Sequence, residues 1–116
     1  MIYKIRSLKT SFLVILLFSS LLPSNEIIVI DVRSFEEVKT GVIQDAIHIE
    51  WTKIEEEITN LDISKEQPIY LYCRSGNRSG KATKILEKIG YTNAINAGGI
   101  KEAAKKLDKK IVKYSE

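Results

Sequence analysis

The chain is poor in the residues that staple or ligate. It has one cysteine, one histidine, one tryptophan and two prolines in 116 residues. A lone thiol excludes an internal disulfide, so the domain must rest on an apolar core, and the thiol is buried and inert, paired with another molecule, or kept for chemistry. One histidine and one cysteine exclude the Cys/His clusters that hold zinc, and no metal or other cofactor is expected. No apolar run approaches the roughly 20 residues of a bilayer span. There is no internal repeat and no low-complexity tract. The net charge of +3 comes from 18 basic and 15 acidic residues. Three of the basic ones are Lys4, Arg6 and Lys9, so the chain from Ser24 onward is formally neutral and shows no electrostatic case for nucleic acid.

Those three cations precede the apolar stretch Ser11 to Leu22 (SFLVILLFSSLL). A positive segment followed by a short apolar one is the pattern of a secretory signal. The expected organisation is a signal peptide over 1–23 and one domain over 24–116, in a periplasmic or otherwise exported protein. An uncleaved N-terminal anchor is the alternative, since Leu22 is bulky where a cleavage site prefers a small residue. No stable membrane insertion is expected once the segment is removed. Within the domain, charge is uneven. Asn25 to Tyr72 carries 4 basic and 11 acidic residues, and Cys73 onward carries 11 basic and 4 acidic. The C-terminal half favours anionic ligands, although Lys101, Lys105, Lys106, Lys109 and Lys110 read equally well as the solvated face of a helix.

Strands and helices alternate along the domain. The β-branched run 26–31 predicts a central strand, and Ser34 caps a short helix that Gly41 ends. Residues 46–49 predict a second strand. Trp51, Ile54, Ile58 and Leu61 recur at helical spacing, so Trp51 is helix-face packing. Residues 68–72 form a third strand, 79–89 a helix closed by Gly90, and 91–96 a fourth strand. Ala97-Gly98-Gly99 predicts a turn, 100–107 a last helix, and the lysine-rich tail a frayed end. This order implies an α/β fold: a small parallel sheet with right-handed crossovers and helices on both faces. Ligands in such sheets bind beyond the carboxyl ends of the strands.

That is where Cys73-Arg74-Ser75-Gly76-Asn77-Arg78-Ser79-Gly80 falls, between a buried strand and a helix start. Backbone N–H groups at such a junction converge, and the helix dipole adds positive potential. A sulfur at the entrance would favour the thiolate. Cys73 is therefore the candidate nucleophile, and Arg74, Ser75, Gly76, Asn77, Arg78 and Ser79 are the candidate cradle for an anionic substrate. The plainer readings are a small buried hydrophobe for Cys73, solvated charge for Arg74 and Arg78, and ordinary turn chemistry for the rest. His48 reads as a packed or edge residue rather than a base. Asp31 and Arg33 read as a pair that holds a strand–helix corner.

Ile30-Asp31-Val32-Arg33, Gly41 to Ile49, Cys73 to Gly80 and Asn96 to Ile100 together resemble, in order, the signatures of the single-domain rhodanese family. The short exported chain is most similar to its periplasmic phage shock protein E type. The resemblance covers residues 27–104. It implies a three-layer domain and a thiosulfate sulfurtransferase, in which the cysteine takes the sulfane sulfur from a small anionic donor as a persulfide. The sulfur then passes to a thiol or cyanide. Residues 40–46 depart from the family's usual His-Ile-Pro-Gly wording. The usual leading strand and helix do not precede 26–31, so a monomer or a weak dimer covering that edge is expected. A phosphatase or arsenate reductase of the same architecture would place an arginine six positions after the cysteine, where Ser79 stands; Arg78 falls at five. A non-catalytic binding module on the same fold is the remaining alternative.

Overall fold

In the computed structural model of the chain, residues 26–115 are described. The expected signal or anchor over 1–23 lies outside them. Among the described residues no helix is long and apolar enough to cross a membrane.

The elements in order are β1 (Ile28–Asp31), α1 (Phe35–Val38), β2 (Val42–Ile43), β3 (Ile47–His48), a 3-10 turn (Trp51–Lys53), α2 (Ile54–Ile58), β4 (Ile69–Cys73), α3 (Asn77–Lys88), β5 (Ala94–Gly99), α4 (Ile100–Leu107) and β6 (Ile111–Val112). The main sheet has strand order β3-β1-β4-β5, and every pairing in it is parallel. Parallel strands demand crossovers, and their helices cover both faces. On one face Ile30, Leu71, Ile54, Ile58, Ala82 and Leu86 make a buried cluster that brings α2 and α3 onto the sheet. On the other, Val29, Tyr72 and Ala97 pack with Ala103 and Ala104 of α4. The alternation of residues along β1 and β4 between these clusters is the two-sided burial expected of central strands.

The structure differs from expectation at several points: the fourth strand runs Ala94–Gly99 rather than 91–96, and Trp51 opens a 3-10 turn ahead of α2 rather than the helix itself. The tail is not frayed at Ile111–Val112, which pairs antiparallel with Val42–Ile43 in a second, two-stranded sheet. Tyr114 then meets Phe35 and His48 edge-on. These contacts link the two ends of the domain, and neither end signals them alone. Gly98-Gly99 is not a turn but the end of β5: Leu71 pairs with Asn96 and Tyr72 with Gly98, leaving Ala97 as a bulge. Gly98 has φ +89°, so it does need a glycine's backbone freedom. Finally, α3 begins at Asn77 rather than Ser79.

Asp31 and Arg33 pair as expected. Arg33 Nη2 stands 2.7 Å from Asp31 Oδ2 with both side chains buried, and it also donates to the Gly41 carbonyl at 2.6 Å. The Tyr72 hydroxyl accepts from Ile43 N–H at 2.9 Å, and burial pushes its ionisation up. His48 sits at the sheet edge, where its Nε2–H donates to the Arg33 carbonyl at 2.7 Å. Together these groups fix the corner after β1. Removing Asp31 would leave the Arg33 charge buried and unpaired, a loss that costs about 3–5 kcal/mol. The variant Asp31→Ala is therefore expected to unfold at much lower urea concentration than wild type; an unchanged midpoint would show that solvent readily compensates Arg33.

Candidate active site

Cys73 is the last residue of β4, and Ser75-Gly76 lead directly into α3. The chain reverses here only because Gly76, the N-cap of α3, takes φ +97°. A Cβ at Gly76 would lie 3.3 Å from Gly98 Cα, and one at Gly99 only 2.6 Å from the Arg74 carbonyl oxygen. The loop is thus pressed onto the end of β5 at distances only glycines allow.

This geometry aims donors at the sulfur. Gly76 N–H donates to Cys73 Sγ at 2.9 Å, and the Ser79 hydroxyl oxygen is 3.4 Å from Sγ. Cys73 itself has no solvent exposure and touches the apolar cluster beneath it. Burial alone pushes the thiol up. The Ser79 hydroxyl and the backbone N–H groups of Ser79, Ser75 and Gly76 more than offset that, bringing it down from 9.0 to about 7. The arrangement favours the thiolate against burial, chiefly by hydrogen bonds.

The two arginines differ. Arg78, on the first turn of α3, donates Nη1 and Nη2 to the two carboxylate oxygens of Glu37 at 2.7 and 2.9 Å. Glu37 also accepts from the Ser34 N–H and hydroxyl in a capping box on α1. Chiefly the Arg78 bonds hold its carboxyl down at about 2. The Arg78–Glu37 pair is therefore neutral as a whole. Arg74 is exposed and has no ion-pair partner among the described residues. It opens onto a cleft of about 380 Å³ lined also by Ser75, Gly99, Ile100, Lys101 and Glu102. Asn77 is exposed, and Ser79 is buried.

Two residues left without a part at the loop in the sequence reading bind it directly. One is Glu37; the Ser34–Glu37 spacing signals its capping box but not its partner 41 positions on. The other is Asn96, which contacts both Gly76 and Ser79. His48 has no contact with the sulfur.

A thiol that ionises near pH 7 reacts as its thiolate, so the alkylation rate of Cys73 is expected to rise with pH and reach half its plateau near pH 7. The midpoint should move upward in Ser79→Ala. A wild-type midpoint near that of a free thiol would mean the loop donors do not carry the charge.

The rhodanese-like domain family matches residues 17–106 of this chain. Over 75 residues the chain is 39% identical to the thiosulfate sulfurtransferase PspE of Escherichia coli (strain K12), covering 65% of this chain and 72% of that protein. Over 76 residues it is 41% identical to the putative sulfurtransferase YtwF of Bacillus subtilis (strain 168), covering 65% and 71%. Among solved structures, a rhodanese with anions from E. coli superposes with a TM-score of 0.70 at 35% identity, over 77% of this chain and 100% of that one. The parallel sheet, the cysteine at the end of its central strand and these matches agree: the chain belongs to the rhodanese-like domain family.

Proposed function

We propose that the chain is a thiosulfate sulfurtransferase that carries sulfur as a Cys73 persulfide. The observation that bears most weight is the hydrogen-bonded sulfur: Gly76 N–H at 2.9 Å and the neighbouring donors favour a thiolate at neutral pH. That thiolate attacks the sulfane sulfur of thiosulfate. The S–S bond of the donor breaks, sulfite leaves with the electron pair, and a disulfane anion remains on Cys73. A thiolate or cyanide acceptor then attacks the outer sulfur. The bond to Sγ breaks, and its electron pair returns to Sγ as the thiolate. No general base is needed, because the nucleophile is already ionised.

In this reading the backbone from Arg74 to Ser79 cradles the sulfane group, with Ser75, Gly76 and Asn77 shaping the turn. Arg74 supplies the unpaired positive charge that meets the incoming dianion. Arg78 holds the first turn of α3 in place through Glu37. The cationic segment and apolar run of residues 1–23 support an exported, periplasmic setting for the reaction.

Mass measurement after incubation with thiosulfate tests the proposal. Wild type is expected to gain one sulfur atom and Cys73→Ser none; an unchanged wild-type mass would refute it. Removing the charge in Arg74→Ala should raise the KM for thiosulfate about two- to fivefold, with kcat less affected, and added salt should raise the wild-type KM in the same sense. Indifference to both would leave anion binding to the backbone alone.

A further inference from the structure

Asn96 is exposed, yet its amide makes three hydrogen bonds. Its Nδ2 donates to the Gly76 carbonyl at 3.0 Å. Its Oδ1 accepts from the Ser79 hydroxyl at 2.7 Å and from Gly98 N–H at 3.0 Å. The amide's orientation follows from these partners, because a carbonyl only accepts and a backbone N–H only donates. The bulge at Ala97 sets Gly98 where its N–H meets Oδ1. One side chain on β5 is thereby tied to its own strand, to the loop and to α3.

Gly76 and Ser79 are also the residues whose N–H and hydroxyl stand 2.9 and 3.4 Å from Cys73 Sγ. We propose that Asn96 is a positioning residue for the sulfur-transfer reaction, holding Gly76 and Ser79 where their donors face Sγ. A residue so exposed adds little to the core, so the consequence of its bonds lies in the loop. Its grip on the Ser79 hydroxyl has a second side. The hydroxyl has one proton and two acceptors, Asn96 Oδ1 and Sγ. When Sγ carries negative charge, the proton turns toward it. When the charge moves to the outer sulfur of the persulfide, Asn96 takes the hydroxyl back. No bond other than hydrogen bonds changes in this exchange.

The proposal rests on the sulfurtransferase reading for its purpose but not for its test, which needs no sulfur transfer. Thiolate ultraviolet absorbance and iodoacetamide alkylation are followed against pH in wild type, Asn96→Ala and Asn96→Ser, with thermal melts to confirm folding. The charged groups beside the loop, Arg74, the Arg78–Glu37 pair and Glu102 of α4, are the same in all three proteins. The expected result is a thiol that ionises later in both variants, with a thiolate fraction at pH 7 about fivefold lower in Asn96→Ala. In a Ser79→Ala background the Asn96→Ala change should have a smaller effect, because one of the two donors it positions is already gone. A titration curve in folded Asn96→Ala that coincides with wild type, or lies at lower pH, would overturn the proposal. The second outcome would mean Asn96 only competes with the sulfur for the hydroxyl proton.

Discussion

The hydrogen bonds that converge on a sulfur with no solvent exposure are the interaction around which this domain is arranged. Burial alone would keep the thiol protonated. The opposing force comes chiefly from one hydroxyl and backbone N–H groups, none of which carries a formal charge. Such donors reorganise little when charge develops beside them, because they are parts of a helix start and a tight loop.

Convergence of those donors depends on close approach. The loop and the end of β5 meet where Gly76 and Gly99 leave no Cβ in the way. The bulge in β5 and the parallel pairing of β4 with β5 bring the strand end to the loop. Leu71 and Ile30 on one face and Tyr72 and Val29 on the other clamp the sheet beneath. The hydrophobic core thus acts on the chemistry by holding two short backbone segments in register. The Asp31–Arg33 pair fixes the corner from which α1 departs, and α1 carries Glu37 to Arg78.

Charge at the site is distributed differently from the impression left by a loop with two arginines. Glu37 neutralises Arg78 and ties α1 to α3. Arg74 remains the guanidinium of the loop without an ion-pair partner among the described residues, and it borders the cleft together with Lys101. The unpaired charge is thus on an exposed side chain, whereas the donors to Sγ are one hydroxyl and backbone N–H groups.

Local pattern was enough to place β1, β4 and the loop, because β-branched runs and a helix-spaced apolar face are written in neighbouring residues. Alternation of strands and helices was enough for a parallel sheet covered on both faces, since parallel strands permit few other connections. The pairing of Asp31 with Arg33 was legible for the same reason, two positions apart at a strand end. What the chain order did not reveal joins distant positions: β2 with β6, Glu37 with Arg78, Asn96 with Gly76 and Ser79. An acid at a helix start and an asparagine before two glycines look the same in sequence whether or not a loop lies across from them. Only the folded sheet, by setting strand ends side by side, decides which polar side chain meets which backbone group, and so which donors surround the single thiol.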